Sequence, residues 1–197
     1  MKKRAVFLDR DGTINVDAGY PSDYSQIEIY SRSYEAVRRL NSAGLPVIVL
    51  TNQSGVGRGL LTEENLRLIH QKMRTAFQQE NARLDAFYYC PHYEFSTIPR
   101  YRLDCDCRKP NPGLALRAAL DFGLDLARSY MVGDKVEDII LALNIKASPV
   151  LVLTGYGRES LAKLGALGAK PAYVAEDILG AAVWILEREK QAAEAGR

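Results

Sequence analysis

The sequence predicts an α/β fold with a parallel sheet, and two observations carry that prediction. Short, continuous apolar runs recur along the chain, and stretches with helical spacing separate them. Apolar runs without polar alternation suit strands buried on both faces, and strands that alternate with helices form βαβ units.

Residues 5–8, Ala-Val-Phe-Leu, form the first strand. Residues 47–50, 130–132 and 150–153 follow the same pattern, and 86–89 is a weaker fifth. A helix over 33–43 places Tyr34, Val37 and Leu40 on one face and stops at Gly44, a C-terminal capping glycine. Thr62 N-caps a long helix with the buried stripe Leu66, Ile69, Met73 and Phe77, and His70 on that helix reads as structural. Pro112 lies in the first turn of a helix that stops near Gly123. Two more helices cover 136–144, with Ile139, Ile140 and Leu143, and 177–190, with Ile178, Val183, Trp184 and Leu186. Residues 191–197 read as a fraying helix end.

The chain has 197 residues and no repeat, low-complexity segment or linker, which fits one domain over 1–197. Its net charge of +2 comes from interspersed acids and bases, so neither nucleic acid nor an anionic membrane is indicated as partner. No apolar run approaches the roughly 18 residues of a membrane span, and the basic start Met1-Lys2-Lys3-Arg4 lacks the apolar stretch of a secretory signal. A monomer in the cytoplasm is expected. There, three cysteines point to metal or catalysis rather than to disulfides.

The first polar residues after the strands are Asp9, Thr51, Cys90, Asp134 (after Gly133) and Thr154. In a parallel sheet these gather at the carboxyl edge, where open α/β sheets bind ligands. Asp9-Arg10-Asp11-Gly12-Thr13 is the strongest motif. A carboxylate at Asp9 can attack phosphorus to give an acyl phosphate. A second carboxyl, Asp11, can protonate the leaving alkoxide and then deprotonate a water. Phosphate and nucleophile are both negative, so a cation is needed. Mg²⁺ takes one or two carboxylates, and Asp9 and Asp134 are the natural pair, with the Asp11 carbonyl as a third ligand. Thr51 can donate its hydroxyl to a phosphoryl oxygen, with backbone amides from Asn52 onward beside it. Lys109 offers a fixed ammonium for the charge developing on the phosphoryl group. Taken alone, an Asp-x-Asp-Gly turn or a lone Lys is more often structural or solvated. The set carries the chemistry.

Cys90 and His92, then Cys105 and Cys107, supply three sulfurs and one imidazole within 18 residues, counted inclusively from 90 to 107. That is the ligand set of a closed structural Zn²⁺ site. The Cys-x-His and Cys-x-Cys spacings suit a metal clip on a loop over 90–107 rather than a DNA-reading finger. With four protein ligands the zinc would order the loop and take no part in the reaction.

The ordered runs Asp9-Arg10-Asp11-Gly12-Thr13, Thr51-Asn52-Gln53-Ser54-Gly55, Arg108-Lys109-Pro110 and Gly133-Asp134-Lys135-Val136-Glu137-Asp138 resemble the four motifs of the haloacid dehalogenase superfamily of phosphatases. With Cys-Pro-His and Cys-Asp-Cys ahead of Arg108, the chain resembles the branch of heptose bisphosphate and histidinol-phosphate phosphatases, over about residues 5–155. The resemblance implies a Rossmann-like parallel sheet flanked by helices, no large cap domain and a zinc-bound loop. It also implies that Asp9 is nucleophile and Mg²⁺ ligand, Asp11 acid/base, and Asp134 the remaining carboxylate ligand. Thr51 and Lys109 would hold the phosphoryl group. Asn52, Gln53, Ser54, Arg108, Lys135 and the loop Asp17, Ala18, Gly19, Tyr20 would contact a small phosphorylated metabolite. Pro21-Ser22 and Ser31-Arg32 depart from the branch's usual pairs, near the expected sugar-facing side.

The leading expectation is hydrolysis of D-glycero-D-manno-heptose 1,7-bisphosphate to heptose 1-phosphate, with histidinol-phosphate hydrolysis as the alternative. A silent zinc-clip binding protein would be expected to lose Asp9 or Asp134, and both are present. A nucleic-acid end phosphatase would need a basic track, which is missing from the sequence.

Overall fold

The computed structural model describes residues 3–195, so Met1, Lys2, Gly196 and Arg197 of the predicted terminal segments lie outside it. Six strands form one sheet: β1 (Val6–Leu8), β2 (Val47–Asn52), β3 (Ala86–Cys90), β4 (Tyr130–Gly133), β5 (Ser148–Val152) and β6 (Tyr173–Ala175). Their order is β3-β2-β1-β4-β5-β6 and every pairing is parallel. The chain runs outward from β1 to β3, then returns to lay β4 against the other side of β1. Ligands of such sheets bind at this reversal, beyond the carboxyl ends of the strands. Leu8 pairs in register with both Val49 and Val132, so the residues after β1 and β4 emerge side by side.

Both sheet faces are covered, which is why the strand sequences do not alternate. Val6, Leu8, Val47 and Val49 pack with α1 (Ser33–Ser42), α3 (Glu63–Gln79) and α7 (Ile178–Ala195). Phe7, Ile48, Leu50 and Met131 pack on the opposite side with α4 (Gly113–Phe122) and α5 (Val136–Asn144). The α3 stripe of Leu66, Ile69, Met73 and Phe77 is buried as its spacing predicts, and Thr62 Oγ1 accepts from Asn65 N at 3.0 Å as its N-cap. Truncating Phe77 to Ala would cost about 3–5 kcal/mol in this setting.

Apart from short 3-10 turns, two helices and one strand were not predicted: the short α2 (Ser54–Gly57), α6 (Gly157–Ala166) and β6. Of the apolar residues named on α5, Ile139 is buried and Leu143 is 45% exposed, and Leu141 and Ala142 share the burial. On α7 the packing residues are Ile178, Ala181, Ala182 and Ile185, while Val183, Trp184 and Leu186 are only partly buried. That helix continues through Ala195 rather than fraying from 191. Between β1 and α1 the only regular element is the 3-10 turn Tyr24–Gln26, which leaves the carboxyl edge without a covering domain from that segment.

Candidate active site

Asp9 follows β1, is buried, and takes a backbone hydrogen bond to Val132 O at 2.9 Å that fixes it beside the end of β4. Lys109 Nζ donates to Asp9 Oδ1 at 2.7 Å, to Asp138 Oδ1 at 2.6 Å and to the Leu50 carbonyl at 2.8 Å. The three ammonium N–H bonds are thus committed to protein groups. Lys109 anchors the nucleophile candidate from a loop 100 residues away.

Asp9, Asp134 and Asp138 offer carboxylate oxygens within 4.8 Å of one another, all buried. Burial, then the charges of Asp9 and Asp138, push Asp134 up to about 8. Asp138 is raised to about 6 by burial, against the opposing pull of Lys109. A carboxylate trio with too little positive charge beside it fits a divalent cation, because the cation would reverse both shifts. Asp138 is already engaged at both oxygens, Oδ1 by Lys109 and Oδ2 by the Lys135 backbone N–H at 3.0 Å. Asp9 keeps one oxygen without a side-chain donor, and Asp134 accepts only from neutral groups, the Thr13 hydroxyl at 3.4 Å on Oδ1 and a backbone N–H on Oδ2, so these two could hold the Mg²⁺ that the sequence suggests. Asp134 Oδ2 accepts from Tyr156 N at 2.8 Å. Backbone closes over these carboxylates: a Cβ on Gly12 would collide with Asp134, and one on Gly133 with Asp138. Gly12 also has φ +91°, a conformation that a side chain disfavours.

Asp11 lies in a cage of donors. Arg10 spans it in bidentate fashion, Nε to Oδ1 at 3.0 Å and Nη2 to Oδ2 at 2.8 Å. Asn15 Nδ2 donates to Oδ1 at 2.9 Å and Gln53 Nε2 to Oδ2 at 2.8 Å. Burial pushes the Asp11 carboxyl up, but the Arg10 charge and the bonds from Arg10, Asn15 and Gln53 outweigh it and leave it below the ordinary value. Gln53 Nε2 also donates to Thr51 Oγ1 at 2.8 Å, leaving the buried Thr51 hydroxyl hydrogen free for another acceptor.

These groups open onto a cavity of about 470 Å³, lined among others by Asp9, Asp11, Thr51, Ser54, Arg108 and Lys135. Asn52 also lies on its wall, but its amide grips the Lys109 backbone from both sides, Oδ1 taking Lys109 N at 3.0 Å and Nδ2 donating to Lys109 O at 3.1 Å. Asp17, Gly19 and Tyr20 form the rim, and Ala18 is exposed between them. Lys135 Nζ donates to Asp17 Oδ2 at 2.9 Å, and the charges of Asp9, Asp134 and Asp17 raise its ammonium pKa against the effect of burial. Arg108 Nη1 donates to the His92 carbonyl at 3.3 Å.

Sequence reasoning gave Arg10 and Asp138 no role. Asp138 had a weak legible signal, an acid at the N3 position that can accept from the N-cap backbone N–H, whereas nothing local marks Arg10 as the partner of Asp11.

The predicted metal clip is also assembled. Cys90 Sγ lies 3.6 Å from Cys105 Sγ and from His92 Nδ1, and Cys107 Sγ lies 3.4 Å from Cys105 Sγ and 3.2 Å from His92 Nδ1. A tetrahedron with Zn–S bonds of about 2.3 Å has edges of about 3.8 Å, while a disulfide holds its sulfurs about 2.05 Å apart. The observed separations fit the tetrahedral metal site. Burial, with Cys105 beside it, pushes Cys90 up to about 11, and burial with both neighbouring sulfurs pushes Cys107 up further.

Comparison with known proteins agrees with this geometry. The HAD-hydrolase-like family model matches residues 106–181. The D-glycero-beta-D-manno-heptose-1,7-bisphosphate 7-phosphatase of Escherichia coli K12 is 43% identical over 153 residues, 77% of this chain and 80% of its own. The Pasteurella multocida protein of the same name is 41% identical over 154 residues, 78% of this chain and 83% of its own. Among solved structures, D,D-heptose 1,7-bisphosphate phosphatase from B. bronchiseptica, complexed with magnesium and phosphate, superposes with a TM-score of 0.82 at 34% identity, covering 94% of this chain and 99% of that one. No helix among the described residues is long and apolar enough to cross a membrane. A shared fold and this level of identity place the chain in the haloacid dehalogenase-like hydrolases, in the family of the heptose bisphosphate phosphatases.

Proposed function

We propose that this chain hydrolyses the 7-phosphate of D-glycero-D-manno-heptose 1,7-bisphosphate through an aspartyl-phosphate at Asp9. The observation that carries the reading is the buried Asp9, held at one oxygen by Lys109 and standing beside Asp134. Its other oxygen attacks phosphorus, and the bond from phosphorus to the sugar oxygen breaks. Asp11 must first take up a proton against the pull of its donors; it gives that proton to the departing alkoxide, then takes one from the water that attacks the acyl phosphate, so inorganic phosphate leaves and Asp9 is regenerated. Thr51 donates its free hydroxyl hydrogen to a phosphoryl oxygen, and Lys109 adds its charge beside the nucleophile. Mg²⁺, held by Asp9, Asp134 and the Asp11 carbonyl, supplies charge neutralisation between the phosphate and the carboxylates when bound.

Arg108, Lys135 and the loop Asp17–Tyr20 grip the distal end of the substrate, with Ser54 and Gln53 on the near wall. A second phosphate gives the basic pair something to hold, and remote binding energy of this kind can orient the reacting end. Zn²⁺ at Cys90, His92, Cys105 and Cys107 fixes the loop that delivers Arg108 and Lys109. Three ligand thiols kept from disulfide pairing fit a reducing compartment, the cytoplasm.

Phosphate release from a panel of both heptose 1,7-bisphosphate anomers, histidinol phosphate and fructose 1,6-bisphosphate tests the proposal. The highest kcat/KM is expected for one heptose anomer. An equal or higher value for histidinol phosphate would overturn the substrate assignment.

A further inference from the structure

His70 is buried on α3, outside every role assigned above, yet its Nε2 lies 3.2 Å from Arg10 Nη1. Arginine carries only donors, so in this contact the imidazole nitrogen must accept. That places the ring proton on Nδ1 and leaves the ring neutral. Burial, then the Arg10 charge, holds the His70 pKa well below its ordinary value, in keeping with that state. The ring is itself held, stacked on Phe87 with centroids 4.5 Å apart and planes 18° from parallel.

We infer that His70 is a positioning residue for the acid/base carboxyl, fixing through Arg10 the orientation of Asp11 toward the leaving oxygen. The inference rests on the phosphatase reading and on Asp11 as its acid/base. Arg10 is fully buried, and three of its other four N–H donors go to Asp11 and to Gln53 Oε1, the last at 3.0 Å. Loss of the His70 acceptor leaves a guanidinium N–H unpaired away from water. The fork then gains by turning toward another acceptor, and Asp11 loses two of the four donors that aim it. A misaimed catalytic group loses the advantage of a fixed reaction geometry, which is large.

The consequence depends on the leaving group. A sugar alkoxide must be protonated as it departs, whereas p-nitrophenolate leaves without help. kcat/KM covers the steps up to departure, so the defect should be confined to the sugar ester. A histidine that only fills space would affect both substrates alike.

The test compares the wild type with His70→Phe, which keeps an aromatic ring beside Phe87 but removes the acceptor, and His70→Gln, which restores an amide acceptor. For heptose 1,7-bisphosphate, His70→Phe should lower kcat/KM by about tenfold or more, within the range of acid–base effects, and His70→Gln should recover most of that loss. For p-nitrophenyl phosphate both variants should stay within about threefold of wild type, less than the smallest acid–base effect. Equal losses on the two substrates would overturn the inference. A wild type that cleaves neither would instead overturn the phosphatase reading. Independently of any variant, ¹⁵N spectra of the wild type, which has two histidines, should show His70 as the Nδ1–H tautomer. An Nε2–H tautomer or an imidazolium at neutral pH would remove the contact on which the inference stands.

Discussion

Lys109 Nζ lies 2.6 Å from Asp138 Oδ1 in a setting where the two side chains are 3% and 1% exposed. The same Asp138 caps α5 through the Lys135 backbone, so one carboxylate joins the loop carrying Lys109 to the helix that follows Asp134. Asp138→Asn removes a buried charge and can satisfy only one of the two donors with its carbonyl. A loss of about 3 kcal/mol is expected, read as a fall in Tm of about 6–12 °C, together with reduced kcat as Lys109 loosens its hold on Asp9. Unchanged melting and turnover would refute the role given to this pair.

Asp9→Asn keeps the shape of the nucleophile while removing its charge and a metal ligand. With Mg²⁺ present, kcat should fall by about 10³-fold or more, as for other nucleophile deletions. Near-normal turnover would eliminate the covalent route.

Protein purified without chelator should carry about one zinc per chain by elemental analysis, and activity should still require added Mg²⁺. Cys107→Ser should lower both zinc content and kcat/KM, because Arg108 and Lys109 follow directly on the clip. Full activity in zinc-free protein would separate the clip from catalysis.

Glu63 accepts from Tyr89 OH and Tyr101 OH, both at 2.6 Å, linking α3 to β3 and to the segment beyond the first half of the metal clip. The two phenols, Tyr101 first, hold the Glu63 carboxyl below its ordinary 4.5. A depressed acid stabilises the fold above the unfolded pKa, and that contribution is lost as pH falls through the lower folded value. Glu63→Gln should lower Tm by about 3–8 °C at pH 7, the size expected for hydrogen bonds to a charged acceptor. The gap from wild type should narrow as pH falls below the unfolded glutamate pKa toward the lower folded one. A gap that is constant with pH would refute the charged acceptor.

Much of this architecture was legible because the strongest signals are local. The unalternating strands at Val6–Leu8 and Val47–Asn52, the stripe on α3 and the acids that follow Leu8 and Gly133 each sit within a few residues of the structure they specify. The gathering of Cys90, His92, Cys105 and Cys107 was legible from residue type alone, since three thiols and an imidazole have few other uses at that spacing. What escaped was short, as with the three residues of β6, weakly patterned, as with α6, whose buried residues are only Gly157, Ser160 and Leu164, or dependent on contacts across the chain. Arg10 meets His70 across 60 positions, and Asn52 grips Lys109 across 57. No spacing rule announces such pairs. On α7 the alanines Ala181 and Ala182, which no apolar pattern singled out, are buried, while Trp184 stacks on Tyr173 at 5.0 Å, nearer the surface.

The absence of side chains at Gly12 and Gly133 has a consequence for how this enzyme can vary. Each lends the carboxylates the room that a single methyl group would occupy, so the shape of the acidic pocket is set partly by atoms that are not there. A saturation library scored for turnover should therefore show intolerance at two positions that bear no functional group, as severe as at the acids they adjoin. Attempts to retune the substrate range would do better to work outward, at the Asp17–Tyr20 rim and Arg108, where the wall is built of side chains and substitution leaves the backbone frame around Asp134 and Asp138 in place.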